Sequence, residues 1–181
     1  MNITGGKYNS IKIKTPSSDN VRPTLSKIRA GVFNSLNSII DFEKSSFLDC
    51  FGGSGIISLE AISRGFKNVI TIEKDFKTAQ IIKENFASLK IKPNLIIKDS
   101  LKALQNIDID FDAIYLDPPY VMSDLYEKSL KIIEEKCLLK SDGIVILEIK
   151  KGKINFKIPP KFQIFKERTY GNTTVLFLKK I

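Results

Sequence analysis

The tetrapeptide Asp117-Pro118-Pro119-Tyr120 is the most specific chemical signal in this 181-residue chain. It follows the apolar run Phe111-Asp112-Ala113-Ile114-Tyr115-Leu116, which reads as a strand delivering the tetrapeptide at its carboxyl end. Two prolines fix two φ angles and bias Asp117 toward extended backbone. The stiffened loop presents the Asp117 carboxylate and the Pro118 carbonyl in one direction. Two acceptors aimed at one point suit an amino group with two N–H bonds, and they turn its nitrogen toward an electrophilic methyl group. Tyr120 offers a face on which a base stacks, a contact worth about 1–3 kcal/mol.

A second constellation lies upstream. The segment Phe47-Leu48-Asp49-Cys50-Phe51-Gly52-Gly53-Ser54-Gly55 reads as a strand, a glycine turn and a helix start, where backbone without Cβ approaches a ligand closely. The pattern is neither Gly-x-Gly-x-x-Gly nor a phosphate loop, which requires Gly-Lys-Ser/Thr. Asp49 is expected to reach the positively charged end of an amino-acid-bearing cofactor, with Phe51, Gly52, Gly53, Ser54 and Gly55 bending around its nucleoside. Glu73 ends the next strand, at the position where an acid bonds both ribose hydroxyls, and Lys74 flanks the adenine. Beyond the third strand, Asp99 accepts from the adenine amino group and the Ser100 amide donates to a ring nitrogen. NAD satisfies the same ribose acid, but the missing third spaced glycine and the Asp117 loop argue against a dehydrogenase.

Holding these loops at one edge takes an α/β domain. From Ser46 onward, short runs rich in Ile, Val and Phe alternate with stretches of helical period. Strands are predicted at 47–51, 69–73, 95–98, 111–116, 144–149, 162–166 and 174–178, with helices at 54–64, 76–89, 101–105 and 124–136. Asp75 is a candidate N-cap, Gly65 a helix stop, and Asp142-Gly143 a turn before the fifth strand. The last two strands lack an intervening helix and read as an antiparallel pair. Residues 1–45 form an appendage to this single domain, with the alternating Ile11-Lys12-Ile13-Lys14, then Arg22-Pro23-Thr24 and a helix at 26–38.

Composition narrows the function classes. Lys plus Arg number 29 against 20 Asp plus Glu, a net charge of +9, which favours a polyanionic partner. There is no histidine, and the two cysteines, Cys50 and Cys137, are far apart, so no zinc site or Ser-His-Asp triad is expected. No apolar run approaches the ~20 residues of a membrane span, and residues 1–15 lack a signal-peptide core; a cytoplasmic location is expected.

Together, Asp49-Cys50-Phe51-Gly52-Gly53-Ser54-Gly55, Glu60-Ala61-Ile62-Ser63-Arg64-Gly65, Glu73 and Asp117-Pro118-Pro119-Tyr120 resemble the RsmD-type methyltransferases. Thr4-Gly5-Gly6-Lys7, Arg22-Pro23-Thr24, Arg29 with Phe33-Asn34, and Tyr170-Gly171 before Thr173 are similar to that family's opening segment and final hairpin. Gly53 stands where many members have alanine, a change that leaves the site intact. The resemblance implies the class I methyltransferase fold, a Rossmann-like, seven-stranded, mostly parallel sheet with an antiparallel C-terminal hairpin and a small N-terminal extension. It also implies S-adenosylmethionine as donor; no metal is expected, given the missing histidines. The implied acceptor is guanine N2 in 16S ribosomal RNA, of the position-966 type. A partly assembled small subunit is the implied substrate; the protein itself is expected to be a monomer. Lys7, Arg22, Thr24, Arg29, Lys166, Arg168 and Tyr170 are the expected RNA contacts, the basic ones among them of the kind that bind phosphates and position a substrate without reading its sequence. The alternatives are an N6-adenine methyltransferase acting on DNA or RNA, for which the chain is short, and a noncatalytic RNA-binding protein on the same fold.

Overall fold

The computed structural model describes residues 1–16, 26–152 and 154–181, with Tyr120 described by its backbone alone. Five parallel strands, β1 (Ser46–Asp49), β2 (Asn68–Glu73), β3 (Asn94–Ile97), β4 (Phe111–Leu116) and β5 (Leu139–Lys150), carry an antiparallel hairpin of β6 (Phe162–Tyr170) and β7 (Thr173–Lys180). The sheet order is β3-β2-β1-β4-β5-β7-β6. This is the class I methyltransferase fold.

Helices α1 (Ser26–Asn37), α2 (Ile56–Ser63) and α3 (Phe76–Ser88) cover one face; α4 (Ser100–Leu104) and α5 (Asp124–Glu135) cover the other. Their sequences dictate which stripe is buried. In α5, Tyr126, Leu130 and Ile133 recur at helical spacing and face the sheet. Burying each such side chain removes enough apolar surface from water to contribute about 1.5–3 kcal/mol. Between α1 and the sheet, Phe33 stacks on Phe47, and Phe66 packs on both Phe47 and Phe42.

The helix boundaries follow local chemistry. Asp75 accepts from the Thr78 amide at 2.7 Å, as expected of an N-cap. Gly65 takes φ +106° after α2, and the amides of Gly65 and Phe66 bond back to Ile62 O and Ala61 O. The fifth strand departs from expectation. It begins at Leu139, and Asp142-Gly143 lies within it instead of forming a turn ahead of it. The pairing with β4 jumps from Phe111↔Leu139 to Ala113↔Ile144, so β5 bulges over the intervening residues. Gly143 permits this, because a Cβ there would lie 2.7 Å from Leu139 Cδ1 and 3.0 Å from Phe111 O.

The N-terminal extension folds back on itself and onto α2. The Ile3 amide bonds Ile11 O at 3.0 Å and the Ile13 amide bonds Met1 O at 2.8 Å, which buries Ile3 and Ile13 and leaves Ile11 outside. The anchor is the buried Glu60 carboxylate. It accepts from the Thr4 amide (2.8 Å), the Thr4 hydroxyl (2.7 Å) and Arg64 Nε (2.7 Å), and Arg29 Nε stands 3.7 Å away. Such a buried cluster stabilises only when complete, since removing one partner leaves the others desolvated and uncompensated. Glu60→Ala is therefore expected to lower unfolding free energy by about 3–5 kcal/mol in urea titrations and to speed tryptic cleavage within residues 1–16. A stability loss under about 0.5 kcal/mol, the range of a neutral surface change, is the result that contradicts the anchoring.

Candidate active site

Strand order reverses between β1 and β4, and in an open α/β sheet ligands lie at the carboxyl ends of the strands flanking such a point. Asp49 pairs with Tyr115 across this junction, and the Cys50 amide bonds Tyr115 O at 3.1 Å. The glycine turn after β1 and the Asp117 loop after β4 consequently leave the sheet side by side, one interstrand spacing of about 4.8 Å apart. The two constellations read in the sequence are brought to one edge.

The turn is tied to β2 by backbone and carboxylate together. The Gly52 amide bonds Ile72 O at 2.8 Å, and the Gly53 amide donates to Glu73 Oε2 at 2.9 Å while the Asp75 amide donates to Oε1 at 2.8 Å. Glu73 is thus a fixed, half-buried carboxylate on the rim of the turn, not a helix cap. Gly52 packs so closely on β2 that a Cβ would meet Thr71 Cγ2 at 2.6 Å, and Gly53 and Gly55 adopt φ of +54° and +80°. Helix α2 therefore starts at Ile56, leaving Ser54 in the turn. Lys74 is exposed beside Glu73. Asp99 caps α4 by accepting from the Lys102 amide at 3.1 Å, and Ser100, the first residue of α4, bonds Cys50 O through its hydroxyl at 2.6 Å. Phe51 is half-buried against the core on the α4 and α5 face.

Asp49 differs from expectation. Its carboxylate lies beneath the turn, 1% exposed, where the Ser58 hydroxyl donates to it at 2.8 Å and Thr71 Oγ1 in turn bonds Ser58 Oγ at 2.7 Å. Reach toward a cofactor's charged end is replaced by support of the turn from below. Burial pushes its carboxyl up to about 6, against the opposing pull of the Ser58 hydrogen bond.

In the loop after β4, Asp117 is half-buried, Pro118 buried and Pro119 exposed. Pro119 O accepts from the Met122 amide at 2.8 Å, closing a short 3-10 turn over Tyr120–Met122. Beneath the loop, Tyr115 OH donates to the buried Glu148 carboxylate at 2.6 Å, and Tyr126 OH donates to Glu148 O at 2.5 Å. Glu148 sits beside Asp117, since Leu116 pairs with Leu147 one residue earlier.

The expected RNA contacts fare unequally. Arg29 is corrected: it is fully buried between α1 and the rest of that layer, beside Glu60, with Nη2 donating to Asn2 O at 2.5 Å, so its guanidinium is internal scaffolding. Lys7 is exposed, but its amide bonds Ser63 O at 2.7 Å, at the far end of α2 from the glycine turn and on the opposite edge of the sheet from Asp117. Arg22 and Thr24 lie outside the described residues. Lys166, Arg168 and Tyr170 share β6.

Several residues that build the site escaped the sequence reading. Asn85 Nδ2 donates to Ser54 O and to Lys14 O, both at 2.9 Å, while its Oδ1 accepts from the Lys14 amide at 2.8 Å, clipping the extension to the turn. Its signal was a polar residue on the buried Ala79, Ile82, Phe86 stripe of α3. Ser58 and Glu148 are likewise polar positions on buried faces, the latter inside an otherwise apolar strand.

Residues 1–179 match the model of the family described as Conserved hypothetical protein 95. The chain belongs to this family, the RsmD-type methyltransferases. It is 33% identical over 172 residues to Ribosomal RNA small subunit methyltransferase D of Buchnera aphidicola subsp. Acyrthosiphon pisum, covering 92% of this chain and 86% of the relative. The protein of the same name from Haemophilus influenzae is 32% identical, covering 93% and 88%. Among solved structures, a Haemophilus influenzae methylase superposes with a TM-score of 0.83 at 26% identity, over 99% and 98% of the two chains. An Escherichia coli protein described as a methyltransferase superposes at 0.89 and, at 24% identity, speaks for the fold alone, over 99% and 97%.

S-adenosylmethionine is the cofactor of this class of enzyme, and the donor set fits it. The molecule carries a ribose diol and an adenine but no phosphate. The rim offers the fixed Glu73 carboxylate for the diol and Asp99 with the Ser100 amide for the adenine edge, and the turn has no phosphate-binding lysine.

The raised Asp49 carboxyl sets a pH dependence. A carboxyl whose folded pKa exceeds its unfolded value stabilises the fold fully below the unfolded value, near 3.8, and loses that contribution as pH rises through about 6. The full penalty is on the order of 3 kcal/mol. Asp49→Asn retains an acceptor for Ser58 and removes the titration. Its melting temperature is expected to match the parent's near pH 4 and exceed it above pH 6.5. Parallel melting curves at every pH tell against a buried, titrating Asp49.

Proposed function

We propose that the protein transfers a methyl group from S-adenosylmethionine to the exocyclic N2 of a guanine in 16S ribosomal RNA, the guanine at position 966 being the family's type. It acts on a partly assembled small subunit, as a monomer in the cytoplasm. The observation that carries this reading is the β1 and β4 register, which sets the glycine turn beside the Asp117 loop in a chain whose relatives are named as small-subunit ribosomal RNA methyltransferases. Among the described residues no helix is long and apolar enough to cross a membrane.

When bound, S-adenosylmethionine supplies an electrophilic methyl on a sulfonium. Glu73, Asp99 and Ser100 hold the nucleoside end, and the Gly52-Gly53 bend gives the rest close passage. The Asp117 carboxylate and the Pro118 carbonyl accept from the two N–H bonds of the base's amino group. That nitrogen is conjugated and a poor nucleophile, so gripping both hydrogens localises its lone pair along the line of attack. As the nitrogen–carbon bond forms and the sulfur–carbon bond breaks, positive charge grows on the nitrogen. The Asp117 carboxylate stabilises it and receives the proton, an interaction stronger in the transition state than in the ground state. Holding the two reacting atoms near contact supplies the remainder.

Nucleoside mass spectrometry of ribosomal RNA from a strain lacking the protein tests the reading. Loss of N2-methylguanosine is the expected result. Loss of N6-methyladenosine instead transfers the activity to adenine, and an unchanged profile removes the enzyme assignment. In vitro, Asp117→Ala is expected to lower kcat by a factor of about 10²–10³ or more with the donor Kd unchanged within about twofold. Equal loss of donor binding and turnover would show that Asp117 holds the cofactor and not the base.

A further inference from the structure

The antiparallel pairing sorts the β6–β7 hairpin into two chemically different faces. Ile164 opposes Leu178 and Lys166 opposes Phe177, so Phe165 is an extra residue in β6, a bulge. The bulge sets Phe165 and Lys166 both against Phe177: the Phe165 ring meets that of Phe177 edge-on at 6.3 Å, and Lys166 Nζ lies 5.6 Å from its centroid. Beyond the bulge, Arg168 and Tyr170 alternate onto the same face, opposite Val175 and Thr173. Lys179 joins them, paired with Ile144 of β5 and with its Nζ 5.9 Å from the Phe165 ring. This is the face of the α1, α2 and α3 layer, and Tyr170 abuts α1 so tightly that a Cβ on Gly31 would collide with its hydroxyl.

The charge on this face is one-sided. The hairpin's single acid, Glu167, pairs with Leu176 and points to the opposite face. Phe165 keeps 36% of its surface exposed, and in a bulge-free strand it and Lys166 would lie on opposite faces of the sheet. Cations interleaved with an accessible aromatic ring on an outer strand suit a polyanion that carries flat bases. The position is also apt. Arg168 lies in the row of Val175, Glu148 and, by continuation of the β4 register, Asp117, which puts it three strand spacings, about 14 Å, from the catalytic loop.

We propose that this face of β6 and β7 is the RNA-docking platform, with Phe165 stacking on a base and Lys166, Lys179 and Arg168 holding the flanking phosphates. The proposal rests on the RNA reading above and adds to it a surface and a base-stacking residue. The platform explains the bulge: without it, the ring and Lys166 fall on opposite faces.

Fluorescence anisotropy with a fluorescein-labelled stem-loop fragment of 16S ribosomal RNA, across a salt series, tests it on the full chain. Phe165→Ala is expected to weaken binding at least fivefold. The double reversal Lys166→Glu, Lys179→Glu is expected to weaken it further and to flatten the dependence of log affinity on log salt by about one to two. Donor affinity and kcat at saturating RNA stay at parental values while KM for RNA rises, and Lys128→Glu, Lys131→Glu on α5 leaves RNA binding unchanged. Should both β6–β7 variants bind RNA with parental affinity and salt slope while the parent methylates RNA, the platform is wrong and the enzyme reading stands. If the parent neither binds nor methylates RNA, both fall.

Discussion

The pairing of β1 with β4 is the constraint on which the rest of the molecule depends. Two segments more than sixty residues apart in sequence are locked in register, Asp49 opposite Tyr115, with their apolar side chains buried on both faces. A parallel pair of this kind needs crossovers that pack as helices on the faces. Those helices fix where every loop emerges. One residue of slip in this pairing would turn the side chains of a strand to the opposite face and separate the bend from the acid loop. The surrounding hydrogen bonds, Gly52 to Ile72, Ser100 to Cys50 and Cys50 to Tyr115, reinforce that single register from three directions.

Polar groups under the site have a different task from those on its rim. Half-buried Glu73 and exposed Asp99 are bonded to backbone amides that orient them. Asp49, Glu60 and Glu148 are buried, each engaged by a hydroxyl or by guanidinium and hydroxyl groups together. They connect layers: Asp49 joins β1 to α2, Glu60 joins α2 to the extension and α1, and Glu148 joins β5 to β4. Because unpaired buried charge is costly, each of these contacts specifies one arrangement of the layers more sharply than apolar packing alone.

The periodicity of the chain made the fold legible. All seven strands fall where Ile, Val and Phe cluster, and Asp75 and Gly65 mark boundaries as their chemistry requires. The two motif loops were equally readable, because glycine and proline act through the local backbone. Three features were not. The β5 bulge arises from a register jump against β4, a relation between distant residues that makes Asp142-Gly143 look like an ordinary turn. Arg29 looks like a surface cation in isolation; its burial depends on Glu60, thirty-one positions away, and on the folded-back first residues. Asp49 lies buried beneath the turn, bonded by the Ser58 hydroxyl of α2, a contact between strand and helix that the local motif does not reveal.

The Asn85 clip couples the amino-terminal segment to the glycine bend. One amide side chain grips the Lys14 backbone on both sides and the Ser54 carbonyl of the bend together. Anything that tugs on the leading residues, such as a tag fused ahead of them, is therefore transmitted through a single carboxamide to the glycine bend.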